Sequence, residues 1–124
     1  MAEAELETVA RDYLGAFEAR DLARCLEFFA EDATLAWQAG VYKGRRAIED
    51  WHKDRFQADL RLVRVDGINV EGNVVTVDAV ATSNRLRSWR VGSLGGRVTF
   101  VFDRDRITST TFAVRVTNPL EQWA

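Results

Sequence analysis

The chain has 124 residues, a formal charge of -2 and a single cysteine, Cys25. A chain of this length fits one domain, 1–124, that buries roughly two-thirds of its unfolded surface without covalent staples. The charge argues against a nucleic-acid partner, one cysteine excludes an intrachain disulfide, and no window approaches the ~20 apolar residues of a membrane span.

The opening MAEAELETVARDYL carries acids from its third residue. It lacks the basic start and apolar run of a signal peptide, so the expected location is cytoplasmic, with no membrane contact. Over residues 3 to 20, Leu6, Val9, Ala10, Tyr13, Ala16 and Phe17 form one stripe of an amphipathic helix. Asp21 reads as the N-cap of a shorter helix that buries Leu22, Cys25, Leu26 and Phe29. Glu31-Asp32 reads as a turn and Ala33 to Trp37 as a short strand.

Gly44 to about Phe56 is a third helix, with Ile48, Trp51, His52, Arg55 and Phe56 at the spacing of one face. Period two then takes over. Leu62 to Val70 and Val74 to about Asn84 pair around Glu71-Gly72-Asn73, and Arg97 to Asp103 and Ile107 to Thr117 pair around Arg104-Asp105. The glycine-bearing stretch 85–96 between the hairpins reads as a flexible loop. On the late strands Val98, Phe100 and Phe102 share a face with Thr110, Phe112 and Val114. Helices first and an antiparallel meander after predict α+β, with helices on one face of a curved sheet and an apolar concavity between them.

The segments AFEARD, LEFFAEDATL, YKGRRAIEDW and GGRVTFVFDRDRITSTTFAV, in that order, resemble the nuclear transport factor 2-like superfamily in its SnoaL-like and ketosteroid isomerase-like branch. The resemblance covers nearly the whole chain. It implies a cone of three helices against a strongly bent mixed β-sheet, a pocket inside the cone, and a homodimer formed through the sheet. For the isomerases it implies an oxyanion-donating tyrosine, matched by Tyr13. It also implies two carboxyl positions, and Trp37 and Val98 stand there instead. The Asp–Arg–Asp set of the limonene epoxide hydrolase branch is not matched: Asn84, Arg85 and Arg87 lie near its first part, and Phe112 lies where an aspartate is needed. The acid–base residue of SnoaL-like cyclases would be Asp78 if that side chain faces inward.

His52 is the only histidine. Its ordinary pKa suits a general base near neutral pH, and the alternatives are a pocket wall or a helix histidine bonded to a backbone carbonyl. Tyr13 reads as a hydrogen-bond donor to a substrate oxygen or as a core aromatic. Trp37, Trp51, Trp89, Phe17, Arg55, Val98, Phe100 and Phe112 are the candidate ligand-contacting residues, for a flat apolar ligand. Trp123 reads as packing for the C-terminal tail or a dimer surface. Arg85, Arg87, Arg90 and Arg97 form either a basic lip for an anion or a solvated rim. One histidine and one cysteine make no metal cluster, and GSLGG lacks the strand–helix context of a phosphate loop, so no metal or cofactor is expected. Two functions remain open. One is acid–base chemistry on an apolar carbonyl compound by His52 and Tyr13, giving isomerisation, cyclisation or dehydration. The other is non-catalytic binding of a hydrophobic molecule, or a dimeric scaffold.

Overall fold

The computed structural model describes residues 2–37, 40–88, 90 and 92–114. Helix α1 spans Glu3–Glu18, α2 Leu22–Glu27 and α3 Arg45–Gln57. Strands β1 (Phe29–Trp37) and β2 (Gly40–Lys43) lie between α2 and α3. The strands β3 (Arg61–Glu71), β4 (Val74–Thr82), β5 (Leu94–Asp103) and β6 (Arg106–Val114) follow, with a short helix α4 (Asn84–Ser88) between β4 and β5. The six strands form one sheet in the order β2-β1-β6-β5-β4-β3. Every pairing is antiparallel except β1 with β6, so the sheet is mixed.

The helices begin where their sequences offer a start. Asp21 caps α2, its carboxylate accepting from the Arg24 N–H at 3.1 Å. Gly44 precedes α3 at φ 84 and ψ 161, a conformation that a side chain resists. It anchors the turn by donating its N–H to the Ala33 carbonyl at 2.8 Å.

Several elements differ from their sequence-based bounds. Phe29 opens β1 instead of closing α2, and Glu31-Asp32 lies inside that strand and not in a turn. Both acids are exposed, and they fall where the β1–β6 register slips between Phe29 and Thr34. An irregular, unpaired stretch accepts polar residues that look like a turn in the sequence. Strand β2 carries only four residues, too few for a period-two signal to register. The expected loop 85–96 is partly ordered: α4 starts after Ser83, whose hydroxyl accepts from the Leu86 N–H at 3.3 Å, and Gly95 and Gly96 already pair with Val80 and Ala79. The region of Trp89, Trp123 and residues 115–124 lies outside the described residues.

The core lies between the helices and the inner face of the sheet. It includes Leu6, Ala10, Tyr13 and Phe17 of α1, Ile48, Trp51 and His52 of α3, and the sheet residues Phe29, Leu35, Val75, Val77, Phe100, Phe102 and Ile107. Each fully enclosed phenylalanine contributes roughly 1.5–3 kcal/mol of apolar burial. Alternation along the strands decides what joins this core. Val77 and Ala79 are buried, while Asp78 between them points to the opposite face and pairs with Arg97 across β5 at 2.8 and 3.2 Å. Asp78 is therefore not an inward acid, and the cyclase-type assignment does not hold for it.

Candidate functional site

Tyr13 and His52 meet at the centre of the molecule. Helix periodicity turns Tyr13 of α1 and His52 of α3 toward each other, and they are 2 % and 0 % exposed. The tyrosine hydroxyl stands 2.7 Å from His52 Nε2, and His52 Nδ1 stands 2.7 Å from the Ile48 carbonyl oxygen. A carbonyl only accepts, so Nδ1 carries the hydrogen. Nε2 then bears the lone pair and accepts from the tyrosine. Burial pushes the His52 pKa down to about 4, although the bond to Ile48 works in the other direction. Burial, followed by the nearby Cys25, raises Tyr13 well above the ordinary phenol value. At neutral pH the pair is an uncharged donor and an uncharged acceptor, each satisfied by the other.

The surroundings of this pair are closed. Phe28, Phe29 and Phe100 meet the Tyr13 ring edge-on at centroid distances of 5.8, 5.5 and 5.6 Å. Trp51, Phe17 and Phe56 surround His52 at 5.0, 5.9 and 6.1 Å. Phe17 and Phe100, expected to contact ligand, are packed into this shell.

A second cluster is built differently. It sits toward the C-terminal end of α3, where that helix crosses β1. Arg55, 9 % exposed, lies over two indole rings, 4.5 Å from the Trp37 centroid and 5.2 Å from that of Trp51. Trp51 also stacks on Phe112, at 4.8 Å with 22° between planes. Phe112 pairs across the sheet with Val98, and both are half-buried. The indole N–H groups of Trp37 and Trp51 are buried and have no acceptor, and neither does the hydroxyl of Thr110, one inward-facing position below Phe112. Arg55 donates from Nη1 to Asp54 at 2.5 Å, and Asp54 also pairs with Arg85 at 3.4 Å. Burial lowers the Arg55 pKa, with Asp54 and Tyr42 opposing that effect and Arg85 adding to it. An open recess of about 310 Å³ adjoins the cluster, lined by Asp54, Gln57, Ala58, Asn84 and Arg85.

The expected site residues thus divide into two groups. Tyr13, His52, Phe17 and Phe100 form a closed centre. Trp37, Trp51, Arg55, Val98 and Phe112 form the donor-rich aromatic cluster. Trp89 lies outside the described residues. Thr110, Asp54 and Tyr42 were not singled out from sequence. A threonine among inward-facing apolar residues was the available signal for Thr110. Asp54 gives none, because adjacent helical residues do not face each other by any spacing rule. Among the described residues no group of His, Cys, Asp and Glu is placed to hold a metal ion. Cys25 is buried with its thiol pushed up to about 12, by burial first and Asp21 second, which disfavours the thiolate.

The profile of the SnoaL-like domain matches residues 10–110. The fold also recurs in solved structures of low sequence identity. A candidate ketosteroid isomerase from Kribbella flavida DSM 17836 superposes with a TM-score of 0.79 at 17 % identity, covering 94 % of this chain and 82 % of that one. A candidate polyketide cyclase from Sinorhizobium meliloti gives 0.77 at 19 % identity, covering 91 % and 100 %. An NTF2-like protein of unknown function from Burkholderia pseudomallei gives 0.76 at 18 %, covering 93 % and 92 %. A search of curated proteins found no match. At these identities the structures speak for the fold alone. Among the described residues no helix is long and apolar enough to cross a membrane.

Proposed function

The chain belongs to the SnoaL-like domain family, and from that premise we propose that it holds a small, flat, apolar carbonyl compound at the aromatic end of its interior. The supporting observation is that three of the four buried side-chain polar atoms without a partner among the described residues are Trp37 Nε1, Trp51 Nε1 and Thr110 Oγ1, the fourth being Arg20 Nη1. A buried N–H or O–H left unpaired costs about 1–3 kcal/mol. A carbonyl oxygen entering between the indoles removes part of that cost, and the Trp51–Phe112 stack offers an apolar face for the rest of the molecule.

Acid–base turnover is a second reading, favoured by the 2.7 Å Tyr13–His52 bond and the Ile48 anchor that fixes the imidazole tautomer. In it His52 takes a proton next to the carbonyl and Tyr13 donates to the oxygen, the step shared by isomerisation, cyclisation and dehydration. That route requires the aromatic shell to open and the two side chains to exchange each other for substrate. Binding needs no such rearrangement, which is why it ranks first. The sheet carries exposed apolar residues, Val63 at 53 % and Val65 at 39 %, which support a homodimer through that face and can be tested by light scattering.

One titration separates the readings: 2-acetylnaphthalene followed by proton NMR in heavy water. Binding shifts the ligand and indole resonances. Turnover adds deuterium to the ligand's methyl group, and His52→Ala or Tyr13→Phe removes the exchange while leaving the binding. Absence of any shift at about 1 mM ligand, an affinity weaker than about -4 kcal/mol, rejects the carbonyl-binding reading.

A further inference from the structure

Arg55 lies over the Trp37 and Trp51 rings, and the hydrogen-bonding groups that these three side chains bring are all donors. The indole N–H groups are donor-only, as is a guanidinium, and Arg55 uses one donor on Asp54. Its Nη1–Asp54 bond is the only hydrogen bond that it makes among the described residues. A ligand group that fits must therefore bring acceptors, and more than one. Negative charge improves the fit further, because the Arg55 side chain is only 11 % exposed while that of Asp54, its counter-charge, is 47 % exposed and shared with Arg85. The remaining ionisable group acting on Arg55 is Tyr42 of β2. Two arginines face one carboxylate here, which leaves a local surplus of one positive charge.

We propose that Arg55, Trp37 and Trp51 form a carboxylate clamp, so that the ligand is a flat aromatic or polycyclic carboxylic acid, held by its anion against the guanidinium edge. A carboxylate has two oxygens with about four acceptor sites, enough for the arginine and both indoles, where a ketone oxygen serves two donors at most. Arginine suits this place better than lysine. Its planar cation stacks on the two indoles and still presents N–H groups along its edge. This assignment rests on the pocket reading above and narrows its substrate class.

The test uses three probes of one shape: 2-naphthoate, 2-naphthamide and 2-acetylnaphthalene, titrated calorimetrically into the full chain. The acid binds at least about tenfold tighter than either neutral probe, a difference of about 1.4 kcal/mol. Arg55→Gln brings the acid down to the level of the amide. Two indole resonances, identified by their loss in Trp37→Phe and Trp51→Phe, move with the acid. If Arg55→Gln does not fold, Arg55→Lys and Trp37→Phe carry the same comparison, each keeping most of the packing and removing part of the donor edge. Equal affinity for the three probes, or an acid affinity unchanged in these variants, overturns the clamp and leaves the pocket reading standing. Failure of all three probes to bind overturns both.

Discussion

The central histidine makes the fold acid-sensitive in a defined window. His52 is fully buried and its pKa is lowered from 6.5 to about 4. The unfolded chain therefore binds the proton first as pH falls, and protonation pulls the equilibrium toward unfolding. The contribution is complete above pH 6.5, falls progressively below it, and is spent below about 4. The full gap corresponds to roughly 3 kcal/mol, and the part crossed between about pH 7 and pH 4.5 to about 2 to 3 kcal/mol. For a domain of this size that lowers Tm by about 10 °C. Comparison with a His52 variant cancels whatever the carboxylates contribute to the acid response. The assay is urea unfolding at both pH values for the wild type and for His52→Gln, which holds a neutral side chain in place. The wild type loses about 2 to 3 kcal/mol more than the variant on acidification. Parallel losses in the two proteins refute a buried neutral imidazole, as does a histidine NMR titration with a midpoint near 6.5.

Other consequences follow from the same contacts. Tyr13→Phe leaves His52 Nε2 as a buried acceptor without its donor and costs about 1–3 kcal/mol in urea unfolding; a loss under about 0.5 kcal/mol means the two groups are not bonded in solution. Trp51→Ala removes the stack on Phe112 and the contacts with Phe17 and His52, with a loss of about 3–5 kcal/mol. A Tm within a few degrees of wild type contradicts that packing. Gly44→Ala places a side chain at φ +84 and costs about 1–3 kcal/mol, although its Cβ meets nothing nearer than the Glu31 carbonyl at 3.8 Å; unchanged stability indicates a different turn. Arg97→Gln breaks an ion pair whose arginine is 55 % exposed on the outer sheet face. No resolvable change in the urea midpoint is expected, with ligand affinity unchanged, and lost affinity would place that face in the site.

The helices and the late hairpins were legible because their signals are local. One stripe at helical spacing from Leu6 to Phe17 ends up buried, and the alternation of Val98, Phe100 and Phe102 gives the face that meets Thr110 and Phe112 in register. Elements that depend on distant partners were not legible. Strand β2 exists because β1 offers it an edge, and the Glu31-Asp32 segment is extended because Phe29 and Thr34 on either side of it pair with β6, with no local preference for a strand. The same holds for side chains. Spacing put His52 and Arg55 on one face of α3, but it could not say that His52 finds Tyr13 from α1 and is satisfied there. It could not say that Arg55 lies over Trp37 from β1 while the indole N–H groups find no acceptor.

That difference separates structure from site in this interior. A buried polar group that meets its partner stiffens the fold and has little left to offer a ligand. A buried donor without a partner keeps its full hydrogen-bonding capacity, and the fold tolerates it at a cost of the same order as one or two good contacts. Tyr13 and His52 are the better pair on chemical type, since a phenol and an imidazole can exchange a proton, yet each has consumed the other's capacity. Trp37, Trp51 and Thr110 are poor acids and cannot carry out proton transfer, yet their donors are unspent and lie beside a stacked aromatic wall and a buried guanidinium. These unspent donors are what support the proposal that recognition belongs to the tryptophan–arginine end. Chemistry at the centre, if the deuterium experiment reveals it, must be driven by a ligand whose binding at that end opens the shell around His52.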